Sequence, residues 1–458
     1  MPLVTTSVPN LTGGVSHQPP SQRFPNQCEA QENALPLLVG GLIKRPPSNY
    51  VGELKTFAGA SVDLSGAFTH FVTRDAAEEF IVTATGVGNT VHVTDLNGAA
   101  KEVEFDMGSS TYLTSSTPQT SFRAITIADV TFLVNTEVVA EMAADLWLHS
   151  RYQTSAPNEG LMWVKTTMQG MRARAYVTPT DGSETERSVV HTPSSTSNGY
   201  LPNHPATDLI AAGIATGSAV PDCVVTSGGL NGITNFTAAS TGSVVFVENS
   251  ASDFTLTAAD SLGKTALKVI KDTVPDFFDL PSTAKDGMKI LIQGTPETKV
   301  DDYYLRFEVN GSDPGDASAQ PFAEGLWVES IGPGILYKWD YDTLPHILIR
   351  QSNGTFMVKR ADGTTPGAAP VGSDYSAFKF AERECGSDLT NPKPSFVDRQ
   401  IKDISFFKNR IAIMSGEDCA LSEVAEFFNF FRTTTAQLVD SDPIDIGVGG
   451  TEVNAIEK

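Results

Sequence analysis

Phe80-Ile81-Val82-Thr83-Ala84-Thr85, a loop with Gly86 and Gly88, Val91-His92-Val93-Thr94, the turn Asp95-Leu96-Asn97-Gly98 and then Val103-Glu104-Phe105 follow one another closely. Short β-branched runs separated by Asn-Gly turn chemistry read as a small antiparallel meander. The pattern returns at Ala124-Ile125-Thr126-Ile127 and Thr131-Phe132-Leu133-Val134. It returns again where Ser352-Asn353-Gly354 joins Ile347-Leu348-Ile349-Arg350 to Thr355-Phe356-Met357-Val358, and where Lys408-Asn409 lies between Ile404–Phe407 and Arg410–Met414. Meanders repeated along a chain are how propeller blades look in sequence, although no exact repeat accompanies these. The expected fold is mainly β, with propeller-like blades at 61–155 and 311–458.

The remaining segments differ. Residues 156–310 are rich in Ser, Thr, Gly and Asn, with strands at Ala173–Val177 and Ser243–Val247. A helix is expected at Thr207–Ala215, with Thr207 as N-cap and Asp208 in the first turn. This stretch reads as an inserted α+β platform domain. A further short helix is expected to carry Glu423, Glu426, Phe427, Phe428, Phe430 and Phe431, burying one aromatic face. Gly13-Gly14, Pro19-Pro20, Pro25 and Pro46-Pro47 punctuate the first fifty residues, so 1–60 reads as an extended arm without a core of its own.

A chain of 458 residues with 19% charged residues is foldable and long enough for several domains. Lys and Arg number 32 against 54 Asp and Glu, a net charge of −22. Such a surface repels nucleic acid unless basic patches are segregated, and the densest clusters, Lys44-Arg45 and Lys359-Arg360, are short. Ordinary DNA binding is therefore not expected, while an acidic protein past which DNA slides without sticking is compatible with this charge. Cys28, Cys223, Cys385 and Cys419 are far apart and read as reduced structural thiols. The amino terminus has no basic and apolar leader, and the greasy stretch Leu35–Ile43 is too short to span a bilayer, which places synthesis in a cytoplasm.

Chemical motifs are weak. Gly263-Lys264-Thr265 resembles the end of a P-loop, but Ala258 stands where the first glycine is required. The histidines His17, His70, His92, His149, His191, His204 and His346 show no metal-ligand spacing. The carboxylate pairs Asp301-Asp302, Glu102 with Glu104 and Asp440 with Asp442 could serve glycoside hydrolysis, yet such pairs arise by chance in an acidic chain. Asp313–Asp316 lacks a complete calcium-loop pattern, and no G-x-S-x-G elbow occurs. No catalytic, cofactor or metal residue is expected.

Leu11-Thr12-Gly13-Gly14-Val15-Ser16-His17-Gln18-Pro19, followed by Lys44-Arg45-Pro46-Pro47, opens a series of distinctive motifs. The series continues through Asp129–Asn135, Asp302–Phe307, Leu344-Pro345-His346, Cys385-Gly386, Thr390–Val397, Phe406–Arg410, Ser415-Gly416-Glu417, Phe428-Asn429-Phe430 and Asp442-Pro443-Ile444-Asp445. In order and spacing it resembles the tail tubular protein B, or nozzle, family of T7-like short-tailed bacteriophages. Members of that family run well past the Asp-Pro-Ile-Asp motif, so the propeller is expected to be incomplete at the C-terminus here. The resemblance implies a hexameric ring below the portal and its tail tubular protein A-like adaptor, in contact with tail fibres. Double-stranded DNA and the internal ejection proteins would pass through it. Within such a tail, the irregular, proline-rich composition of the arm leads to the expectation that it docks on the adaptor, with Gly13, Gly14, Gln18, Pro19, Lys44, Arg45 and Pro46 as interface residues. Readings from other classes are a tail-borne polysaccharide depolymerase and a receptor-binding adhesin.

Overall fold

A computed structural model describes residues 10–75, 78–88, 90–144, 158–180, 182–191, 206–218, 223–293, 302–310, 322–332, 334–367, 369–370 and 372–447. Strand accounts for 42% of the structure and helix for 6%, so the fold is mainly β. No helix among the described residues is long and apolar enough to cross a membrane.

The opening stretch forms the first sheet, with Phe68–Thr73, Glu79–Ala84, Val91–Asp95 and Ala100–Lys101 in up-and-down order. Asp95 closes the last turn by accepting from the amides of Asn97 and Ala99 at 3.0 and 2.9 Å. The run Val103–Phe105 does not complete this meander as its spacing suggests. After Glu102 the chain leaves, and Val103–Asp106 pairs in parallel with Phe356–Lys359. That pairing begins a composite sheet ordered Val103–Asp106, Phe356–Lys359, His346–Arg350, Val130–Asn135, Phe122–Ile127. Its central strands are covered on both faces, which is why they read as unbroken apolar runs rather than alternating ones. Leu133, Leu348 and Val358 join the first sheet's core with Val82 and Val93. Phe132, Val134, Ile347 and Ile349 point the other way, into a core shared with Ile404, Ile411 and Ile413. Those last residues belong to a third sheet, Asp403–Phe407, Arg410–Ser415, Asp418–Leu421 and Ile444–Gly447.

Between the halves of the composite sheet the chain builds a second stack. One sheet is ordered Cys223–Val225, Thr185–His191, Arg172–Pro179, Phe254–Asp260; its neighbour is Phe236–Thr241, Val244–Asn249, Glu159–Val164, Leu267–Ile270. They share a core with the helix Ala206–Thr216, which buries Ile210, Ala211, Ile214 and Ala215. The helix starts one residue earlier than expected, so Thr207 lies inside its first turn rather than capping it, and its hydroxyl points at Asp208. Leu161, Val244, Phe246 and Ile270 face a second core with Ile290, Leu305 and Phe307 of a five-stranded sheet. That sheet runs Thr273–Val274, Lys289–Ile292, Tyr303–Val309, Phe322–Ser330, Thr283–Lys285.

Two further expectations are corrected. Residues 423–431 form turns, not a helix. Ala425 has φ +68, Glu423 and Glu426 bridge one another, and the Glu423 amide donates to the Asn429 carbonyl at 2.8 Å. The phenylalanines instead enter the core singly: Phe428 meets Phe132 at 5.1 Å, Phe430 meets Phe396 at 5.2 Å and Phe431 meets Trp339 at 5.2 Å between ring centres. The arm is not wholly irregular either. Ala34–Leu37 and Gly41–Lys44 form a hairpin, because Gly40-Gly41 breaks the greasy stretch and Gly41, at φ +69, permits the reversal.

Candidate assembly surfaces

The chemical motifs resolve into structural ones. Around Gly263-Lys264 the Asp260 carboxylate accepts from the amides of Leu262 (2.7 Å), Lys264 (3.0 Å), Ala266 (3.0 Å) and Leu267 (3.1 Å). The amides that a phosphate would need are already taken by the loop's own aspartate. Glu102 is exposed and outside the strands while Glu104 is half-buried in one, so the two carboxylates sit in different environments. Asp440 is exposed and Asp442 buried, where its carboxylate accepts from the Val439 amide at 3.0 Å. Asp301, His149, His204 and the Asp313–Asp316 stretch lie outside the described residues. Among the described residues no group of three His, Cys, Asp or Glu could hold a metal ion.

One pair has the outline of a nucleophile and its base. Ser110 Oγ lies 2.9 Å from His346 Nε2, and His346 Nδ1 lies 2.9 Å from the Leu344 carbonyl. A carbonyl only accepts, so Nδ1 carries the proton and Nε2 accepts from Ser110. The ring is fully buried and stacked on Tyr112 at 4.5 Å. Burial strips water from the imidazolium and pushes the pKa down to about 4, against a weaker opposing pull from Leu344. Such an imidazole is a poor general base near neutrality. The pair locks the loop at Ser110 to the composite sheet. Cys385 is similarly inert, since burial pushes its thiol up to about 12.

The serial motifs near the C-terminus converge in space. Asn391 Nδ2 donates to the carbonyls of Cys385 and Arg432, both at 3.1 Å, and its Oδ1 accepts from the Arg432 amide at 3.0 Å. Asp445 accepts from the amide and hydroxyl of Ser395, both at 2.7 Å. Glu329 accepts from the Thr435 amide and from the hydroxyls of Thr434 and Thr435, which ties the five-stranded sheet to the same region. These residues build a junction.

The arm is a surface of another kind. No residue from Asn10 to Phe71 is buried; the first buried side chain is Val72. Gly13 and Gly14 close a small loop: the Gly13 amide donates to Asn26 O and the Cys28 amide to Gly14 O, each at 2.9 Å. Gly14 has φ +75, and a Cβ on Gly13 would lie 2.9 Å from Asn26 O. Arg23 fastens the next turn, donating to the carbonyls of Gln18 and Pro19 at 3.1 Å. Lys44 pairs with Ala34 across the hairpin, and the Arg45 amide donates to Asn33 O at 2.8 Å. Gly13, Gly14, Gln18 and Pro19 thus share one loop, Lys44 and Arg45 sit at the foot of the hairpin, and Pro46 is exposed beyond it. The hairpin tip escaped the sequence reading: Leu38 and Val39 are 97% and 102% exposed, with Leu35, Leu37, Leu42 and Ile43 also exposed. The Gly40-Gly41 break inside an apolar run was the available signal.

Comparison with known proteins decides what such a chain is. The bacteriophage nozzle protein family matches residues 1–458. The chain belongs to the bacteriophage nozzle protein family. It is 29% identical to the tail tubular protein gp12 of Escherichia phage T7, across 99% of this chain and 50% of that protein. The nozzle chain therefore spans about half the length of the curated relative it matches. Membership makes it a structural component of a virion tail and not an enzyme.

Proposed function

We propose that this chain is the subunit of a hexameric ring in a short phage tail, continuing the DNA channel below the adaptor, retaining the genome and letting it pass during ejection. The observation that carries the reading is the match of the nozzle family to the whole chain. Two structural features support it. The first, composite and C-terminal sheets stack face to face, as neighbouring propeller blades do, so residues 61–155 and 311–458 are read as blades of a β-propeller, apart from Phe322–Ser330, which pairs with Tyr303–Val309 in the middle stack. Residues 156–310, with their own stack, are the platform that meets tail fibres. The arm, residues 1–60, is the docking segment for the tail tubular protein A-like adaptor, through the loop that holds Gly13, Gly14, Gln18 and Pro19 and the foot at Lys44, Arg45 and Pro46.

The mechanism is mechanical and electrostatic. An identical head-to-tail contact closes a ring. Much of the −22 per subunit lines the lumen, so double-stranded DNA and the internal ejection proteins pass without adhering. Particle images of the purified chain test the ring; a field of single subunits at every concentration sinks it. Deleting residues 1–47 should stop tail assembly, and virions with complete tails after that deletion would remove the docking role.

A further inference from the structure

We infer that the hairpin Ala34–Lys44 seats on the body of a neighbouring copy of this chain, so that each subunit clasps the next. This rests on the ring reading above and names what the central part of the arm touches. A two-stranded hairpin is marginal in water and needs a surface to cover it. Here both faces are apolar: Leu35 pairs with Ile43 on one, Pro36 with Leu42 on the other, and Leu38 and Val39 project from the tip. None of these side chains is buried within its own subunit.

Charge selects the occupant. From Asn10 to Phe71 the cations Arg23, Lys44, Arg45 and Lys55 balance Glu29, Glu32, Glu53 and Asp63, and residues 1–9 carry no charged side chain. The entire −22 therefore resides in residues 72–458. Between Glu32 and Glu53 the only charged residues are Lys44 and Arg45. An apolar hairpin with a basic foot is complementary to an acidic body, and it joins two bodies that otherwise repel. The clasp moves Lys44 and Arg45 from the adaptor contact to the neighbouring copy, and leaves Pro46 and the loop with Gly13, Gly14, Gln18 and Pro19 to meet the adaptor.

The test uses the full chain and two variants, Leu38→Asp with Val39→Asp and Lys44→Glu with Arg45→Glu. Mass is measured by light scattering over a concentration series, with thermal unfolding and adaptor co-sedimentation alongside. The clasp predicts that the wild type forms rings and that the tip variant stays monomeric with unchanged unfolding. It also predicts that the foot variant needs roughly tenfold more protein to assemble at low salt, a gap that closes as salt is added. Rings of wild-type mass from the tip variant overturn the clasp while leaving the ring reading intact. Intact rings that no longer bind the adaptor assign the hairpin to the adaptor and overturn the clasp equally. A wild type that never assembles defeats the ring reading and the clasp together.

Discussion

Asn391 joins backbone that is remote in sequence, using both ends of one amide on Cys385 and Arg432. Asn391→Ala removes three hydrogen bonds in a buried place and leaves two carbonyls and an amide to find other partners. The expected loss is about 2 kcal/mol or more of stability, read as a lower denaturant midpoint. His346 carries a pH dependence. Its folded pKa of about 4 lies below the ordinary value, so between roughly pH 4 and 6.5 the unfolded chain binds the extra proton. The stability held by the neutral, stacked ring is complete above about 6.5 and is lost as pH falls towards 4, on the order of 3 kcal/mol in all. Denaturation of wild type and His346→Gln at pH 7 and pH 5 checks the sign: the wild type should lose more on acidification than the variant. At this scale the sequence exposed which residues recur as motifs but not what they do. Thr390–Val397 is legible as a distinctive block, whereas its hydrogen bonds depend on Arg432 and Asp445, which no local pattern brings near.

Among the elements, strands with Asn-Gly or Lys-Asn turns were readable because the turn residue fixes the register locally, as at Gly354 and at Lys408 and Asn409, all with positive φ. Readings failed where tertiary contacts chose among local options. Phe427–Phe431 has helical spacing, but Phe428 and Phe430 both pack on Phe380 and Phe431 packs on Trp339, and these contacts outweigh a single helical face. Val103–Asp106 has the right residues for the first meander, yet it gains more by parallel pairing with Phe356–Lys359. The helix Ala206–Thr216 ends in a backbone crossing that tolerates no side chain. A Cβ on Gly229 would lie 2.2 Å from Thr216 C, and one on Gly217 would lie 2.0 Å from Gly229 N. Gly229→Ala should therefore push the helix off the two sheets, costing about 3 kcal/mol or more, with faster hydrogen exchange at Ile210 and Ile214 than in the C-terminal sheet.

Across the whole molecule, the acidic charge and the absence of a core in the arm were both legible, the first from counting and the second from proline and glycine spacing. The apolar hairpin was not, because a greasy stretch suggests burial and only the fold shows that none of the described residues covers it. Since no side chain from Asn10 to Phe71 is buried, removal of residues 1–47 should leave the thermal unfolding of the body unchanged. A marked drop in melting temperature would mean that the arm packs on its own subunit. The same charge bears on the proposed DNA passage: if much of the −22 faces the lumen, as proposed above, neutralising lumen carboxylates should slow ejection most at low salt, and no change would place the charge on the outer wall.

The composite sheet also sets a clock on synthesis. Val130–Asn135 pairs with His346–Arg350, so a strand made early waits for one made roughly 200 residues later. At the usual pace of translation that is on the order of ten to forty seconds. During that interval Leu133 can already meet the first sheet's core, but the face that carries Phe132 and Val134 waits for residues from Trp339 onward, while the stack that contains Glu159–Val164 and Arg172–Pro179 can already close. Nascent chains halted after residue 330 should resist protease across the middle stack and be cut near Val130–Asn135. A demand for chaperones would then be written into the strand order of this tail protein, independent of the ring it later joins.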